Sequence, residues 1–138
     1  MRTILNPYIS FKGNARQAME FYKSVFGGQL TSTTYKEGGM NQNPDEADSI
    51  MHSSLTTDSD ITIMAADTPT DMEYSPGNNM SISLSGDDAE QITAHFESLS
   101  VGGNVHQPLV KAAWGDTFGM ITDRFGVNWM INITAQTD

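Results

Sequence analysis

Apolar and polar positions change rhythm four times along the chain, and the changes come in the same order twice. Residues 9–28 read ISFKGNARQAMEFYKSVFGG and residues 82–103 read ISLSGDDAEQITAHFESLSVGG. Each begins with the alternation of a strand, passes a Gly and an Asn or Asp, and then takes up a helical stripe. Ala15, Ala18, Tyr22 and Val25 in the first stripe match Ala89, Ile92, Phe96 and Leu99 in the second, spaced for one helix face. Asn14 with Gln17, and Asp88 with Gln91, resemble capping boxes, and Gly27-Gly28 and Gly102-Gly103 are helix stops.

A second correspondence follows each helix. LTTDSDITIM (55–64) resembles MITDRFGVNWM (120–130), aligned on Thr-Asp with one extra residue in the later turn. The pattern therefore predicts an α+β fold built from βαβββ twice. In the first copy, strands are expected near 4–12, 29–36, 50–57 and 60–66, with a helix near 14–26. In the second, strands are expected near 79–85, 104–111, 115–122 and 127–134, with a helix near 88–100. Module one spans about 1–68, a linker about 67–79, and module two about 79–138, within one domain. The polar loop 37–49 and the linker, which holds two prolines, are expected at the surface.

One face of each sheet must cover its helix and takes the bulky apolar residues. The period of two then lists the other face. The first strand gives Asn6, Tyr8 and Ser10, the fourth Thr62 and Met64, the fifth Asn79, Ser81 and Ser83, and the last Asn128, Met130 and Asn132. Such a face is too polar for a second core and too uncharged for a fully solvated surface. It suits a small-molecule pocket with a few orienting hydrogen bonds, or a face covered by a partner or by water.

Composition narrows the function classes. Seven Lys+Arg against 17 Asp+Glu give a net charge of −10, which lacks the basic surface that nucleic-acid binding needs and disfavours anionic membranes. The chain has no cysteine, so disulfides, thiolate metal sites and a Cys nucleophile are excluded. No run approaches the roughly 20 apolar residues of a membrane span, and the opening residues do not read as a signal peptide. A cytoplasmic protein is expected. No GxGxxG, P-loop or G-x-S-x-G elbow is present, so a nucleotide-type cofactor or methyltransferase reading finds no support.

Of the three histidines, His95 lies off its helix stripe and is expected at the surface. His106 precedes Pro108 at the start of a strand. His52 lies in the third strand, where it is the best placed to face a pocket or act as a general base. Trp114 and Phe118 are expected to share a strand face, either stacking on a flat ligand or filling the core. Asp116 is a buried carboxylate or a turn residue, and Asp123-Arg124 shape a hairpin. Among nine methionines, Met51, Met64, Met80, Met120 and Met130 fall on expected strands, where thioethers pack a core or line an adaptable pocket.

Pro7-Tyr8-Ile9-Ser10-Phe11 with Gly13-Asn14, Ala18 to Tyr22, Phe26-Gly27, Trp114-Gly115 and the run from Phe118 to Asn132 together resemble the vicinal oxygen chelate superfamily. That superfamily includes glyoxalase I, bleomycin-resistance proteins and extradiol dioxygenases; within it the chain looks most like the PhnB-like branch. The resemblance implies strands curled into a cup, two modules facing each other, and a homodimer. In the superfamily's enzymes a divalent metal held by His, Gln or Glu chelates neighbouring substrate oxygens. Carried over by position, those ligands fall on Asn6 or Tyr8, Met64 or Thr62, Asn79 or Ser81, and Met130, none of them His, Asp or Glu. A thioether suits hard or borderline cations poorly, so the expectation is no metal and no cofactor. The expected pocket is Tyr8, His52, Met64, Trp114, Phe118, Asn128 and Met130, holding a small organic ligand, with turnover left open. The alternatives are a metal-dependent lyase, isomerase or dioxygenase with displaced ligands such as His52, His106 and Asp116, or a sequestering protein without catalysis.

Overall fold

A computed structural model describes residues 2–39 and 43–135. The chain divides into two compact units, Met1–Pro76 and Gly77–Asp138. The first contains β1 (Tyr8–Phe11), α1 (Ala15–Phe26), β2 (Gln29–Thr34), β3 (Ile50–Thr56) and β4 (Thr62–Asp67). The second contains β5 (Ile82–Gly86), α2 (Ala89–Ser100), β6 (Asn104–Lys111), β7 (Thr117–Thr122) and β8 (Asn128–Ile133). Each sheet has four strands, ordered β1-β4-β3-β2 and β5-β8-β7-β6. In each, the strand before the helix pairs in parallel with the last strand, and the remaining pairings are antiparallel. The βαβββ order read from the sequence is thus present in both units.

The two copies agree in register. Tyr8 pairs with Met64 in the first unit and Ser83 with Met130 in the second. Thr68 N–H donates to the Phe11 carbonyl, and Thr134 N–H to that of Gly86. Both helices have 12 residues. Gly28 and Gly103 follow them at equivalent places, where a Cβ would strike the backbone of Thr56-Thr57 or Thr122-Asp123; only glycine lets the chain leave the helix so close to the sheet.

Alternation places the cores as expected. Ile63, Ala65 and Asp67 are buried along β4, and Trp129, Ile131 and Ile133 along β8. These faces meet Ala15, Ala18, Met19 and Tyr22 of α1, and Ile92, Phe96 and Leu99 of α2. Full burial of each large apolar side chain contributes about 1.5–3 kcal/mol. Val25, placed on the stripe by spacing, is only partly covered, and Ala89 is exposed.

Several boundaries differ from the sequence expectation. β1 starts at Tyr8 rather than near residue 4, because Pro7 has no N–H for a ladder, although its carbonyl still accepts from Met64 N–H. β5 starts at Ile82, so Asn79, Met80 and Ser81 precede the strand. β2 stops at Thr34, where Thr34 and Glu37 exchange side-chain-to-backbone hydrogen bonds. β7 starts at Thr117, after a turn in which Gly115 takes φ 101°. Part of the loop expected over 37–49, residues 40–42, lies outside the described residues; the rest includes a short 3-10 turn at Pro44–Glu46.

Two local expectations are corrected. Asp88 caps α2 by accepting from Gln91 N–H, but Asn14 makes no side-chain cap. Instead Asp67, at the end of β4 and 3% exposed, accepts from Gly13 N–H and Ala15 N–H with one oxygen and from Ile50 N–H with the other. The late hairpin also has no extra residue. Thr57 N–H donates to the Ile61 carbonyl and Asp123 N–H to that of Val127, so Thr57 matches Asp123. Thr57 Oγ1 accepts from Ser59 and Ile61 N–H, and Asp123 Oδ1 from Phe125 and Val127 N–H. A hydroxyl and a carboxylate do the same work, which hides the equivalence from an alignment on Thr-Asp.

Candidate functional site

In the first unit the face turned away from α1 carries Tyr8 and Ser10 from β1, and Thr62, Met64 and Ala66 from β4. The pairings Ser54 with Met64, Thr31 with Ser54, and Thr33 with His52 add β3 and β2 to it. It brings together three of the expected pocket residues, Tyr8, His52 and Met64. Tyr8 Oη and His52 Nδ1 share a hydrogen bond of 3.2 Å, and their ring centroids lie 5.7 Å apart. Met64 is half-buried between Tyr8 on one side and Ser54 on the other. Asn6 precedes the strand, so it does not belong to the ladder.

In the second unit the corresponding face carries Ser83 and Ser85 from β5, Asn128, Met130 and Asn132 from β8, and Phe118, Met120 and Thr122 from β7. Asn128 is tied into a row: His106 Nε2 lies 2.7 Å from Thr122 Oγ1, which donates to Asn128 Oδ1 at 2.7 Å, while Asn128 Nδ2 donates to the Met80 carbonyl. Met130 pairs with Met120 and Ser83 on its two sides. Trp114 is not on a strand, contrary to expectation; it occupies the turn closed by Ala112 N–H to the Asp116 carbonyl. Its ring nevertheless meets Phe118 edge to face at 5.9 Å, and it is 64% exposed, so it does not fill a core.

Asp116 accepts from Asn132 Nδ2 with one oxygen and from Ala135 N–H with the other. These bonds, Asn132 foremost and then the Ala135 amide, hold its carboxyl below the ordinary carboxylate value, because they stabilise the charged form. Tyr35, whose hydroxyl donates to the Asp67 carbonyl at 2.6 Å, has its phenol pushed up, chiefly by burial and then by the charge of Asp67.

The sequence reading missed Ser54, Thr33 and Thr122 as members of these faces, and it names Met120 only among the strand methionines that pack a core or line a pocket, although the period of two through β2, β3 and β7 carries the signal. The links His106–Thr122–Asn128 and Asp116–Asn132 depend on strand pairing, which a single sequence does not display.

The donor chemistry does not fit the divalent metal that the vicinal oxygen chelate resemblance implies. At the matched centres of the two faces stand thioethers, Met64 and Met130, flanked by hydroxyls and amides. Among the described residues no three His, Asp or Glu side chains gather as a ligand group. His106 is engaged with Thr122, and both oxygens of Asp116 are taken.

Comparison with known proteins agrees with this architecture. YjdN of Escherichia coli (strain K12) is 30% identical over 147 residues, covering 96% of each chain. The crystal structure of protein PA1353 from Pseudomonas aeruginosa is 36% identical with a TM-score of 0.84, covering 98% of this chain and all of that one. The PhnB protein from Bacillus cereus, 24% identical, shares the fold with a TM-score of 0.77 over 96% of this chain and 100% of its own. The profile of the Glyoxalase/Bleomycin resistance protein/Dioxygenase superfamily matches residues 4–131. With nearly its full length covered and its paired βαβββ units in register, the chain belongs to that superfamily.

Proposed function

We propose that this chain is a PhnB-like member of the superfamily that binds a small organic molecule on the helix-free faces of its sheets, without the superfamily's usual metal, and that it works as a cytoplasmic homodimer. The observation that carries the reading is the pair of thioethers, Met64 and Met130, at matched register positions, each bordered by fixed hydrogen-bonding side chains. A methionine gives an adaptable apolar floor, and the neighbouring polar groups fix the orientation of whatever lies on it. In this reading Tyr8, His52 and Asn128 make the hydrogen bonds, and Trp114 and Phe118 offer ring surfaces.

The test uses the full chain stripped of metal by a chelator and labelled at its methionine methyl groups. A library of small planar fragments is titrated and followed by NMR. Fragments are expected to shift the Met64 and Met130 methyl signals, with affinities unchanged when zinc, nickel or manganese is added. Fragment binding that appears only after one equivalent of such a metal is restored would overturn the reading, and so would a library in which nothing shifts either methyl.

A further inference from the structure

The row of side chains on the second unit's open face has a direction, and that direction fixes where one proton sits. The Met80 carbonyl can only accept, so the end of Asn128 beside it is the Nδ2 amide. Asn128 Oδ1 therefore faces Thr122 and accepts from its hydroxyl. The Thr122 proton is thereby committed, and its oxygen is left to accept from His106 Nε2 at 2.7 Å. A neutral imidazole carries one N–H. The row places it on Nε2, so Nδ1 holds a bare lone pair.

Strand geometry keeps that lone pair available. Val105 pairs with Ile121 and Gln107 with Met120, so β6 has one residue more than β7 here and His106 is the bulge. A bulge re-aims the side chain it carries. The His106 ring reaches Thr122, whose side chain shares the open face with Met120 and Met130. His106 is exposed, and among the described residues its Nδ1 has no hydrogen-bond partner.

The first unit offers different chemistry at the matched place. Thr56 and Thr62 stand where the second unit has Thr122 and Asn128, and β2 runs QLTSTT, without an imidazole. Hydroxyls rotate to donate or accept, so they do not choose between donors and acceptors on a ligand. A lone pair fixed on Nδ1 does. We infer that His106 Nδ1 is a specificity-determining acceptor, and that the ligand end meeting the second unit carries an N–H or O–H donor on a planar body, as indole does. An end offering only acceptors, or an N-methylated ring, leaves Nδ1 unpaired or sets one lone pair against another, which costs affinity. This rests on the small-molecule reading above and specifies what the second unit's face selects.

The test uses the full chain at pH 8 with its histidine ring nitrogens isotopically labelled for NMR, His106 being assigned by its loss in His106→Phe. Without ligand, Nε2 is expected to carry the proton and Nδ1 to be bare. Thr122→Val removes the hydroxyl that holds this tautomer and is expected to move both nitrogens toward the mixture of a free imidazole. Indole and N-methylindole are then titrated into the wild-type chain. Indole is expected to shift His106 Nδ1 and to bind roughly three- to tenfold more tightly than N-methylindole, as one hydrogen bond implies. In His106→Phe that preference is expected to vanish. A proton found on Nδ1, ring nitrogens unchanged in Thr122→Val, equal affinities for the two indoles, or a preference that survives in His106→Phe would overturn the inference. Indole that shifts the Met130 methyl but leaves His106 unmoved would overturn it while leaving the small-molecule reading intact. If neither indole binds, the inference falls, and the methyl shifts from the fragment library decide the small-molecule reading separately.

Discussion

Asp67 shows how one side chain can replace a local signal. It is the only acid on the helix-facing side of β4, and it gathers three backbone N–H groups from the start of α1 and the start of β3. Asn14 is therefore free of the capping role that its place before the helix suggests. Removing a buried acceptor leaves its donors without partners, and hydrogen bonds to charged groups are worth more than neutral ones. Asp67→Ala is expected to destabilise the protein by about 3 kcal/mol in urea unfolding, with Asp67→Asn intermediate because it keeps one acceptor oxygen. Asp88→Ala removes the exposed cap of α2 and is expected to cost only about 1 kcal/mol. Equal losses at Asp67 and Asp88 would show that the strand-borne carboxylate is not the tie between α1 and β3. No pattern of spacing could announce this role, since Asp67 is distant from residue 13 in sequence and reaches it only once β1 and β4 pair.

At the level of the element, the two β-hairpins that end each repeat share one turn and differ in how well their residues suit it. Asp60 has φ 62° and Gly126 φ 86° at equivalent positions, the third residue of a three-residue loop. Such loops place that residue in the left-handed region, which is unfavourable for a residue with a Cβ, though less so for Asp. Asp60→Gly is thus expected to stabilise the first unit by about 0.5 kcal/mol, the relief of backbone strain being partly offset by the greater freedom of glycine when unfolded. A raised midpoint in thermal or urea unfolding checks it, and a lowered one would mean that Asp60 contributes something its exposed side chain does not display. The hairpins also mark where sequence reading succeeded and failed. Alternation through β4 and β8 gave the buried and open faces correctly, because a period of two survives whatever the turn does. The turn itself was misaligned by one residue, because Thr57 and Asp123 are different residue types making the same two hydrogen bonds. Strand starts were placed too early at β1 and β5 for a similar reason: apolar residues such as Ile4 and Met80 continue the pattern beyond the point where a neighbouring strand is present to pair.

For the whole molecule, duplication explains both what was legible and what was not. Repetition doubles every periodic signal, so the helices, the order of strands and the matched methionines stand out from one sequence. It says nothing about positions where the copies diverge, and each face takes part of its polar chemistry from these: the Tyr8–His52 couple in the first unit, and His106, Asn128 and the Asp116–Asn132 bond in the second. Divergence also touches the surface. Leu5 is 96% exposed and Met80 77%, at the N-terminal approach to β1 and to β5 respectively, and Ile4 is exposed beside Leu5. Single exposed apolar residues are ordinary, but adjacent ones just before a strand that edges its sheet offer both side chains and unpaired backbone to a second chain. The homodimer proposed above is expected to cover them. Sedimentation at tens of micromolar should then report twice the 15.1 kDa of the chain, and Leu5→Asp should move the equilibrium toward the single chain with no loss of unfolding free energy in the monomer, since that side chain touches little of its own unit. A wild-type chain that sediments at 15.1 kDa under those conditions would remove the homodimer, and a Leu5→Asp variant that stays doubled would move the interface away from this segment.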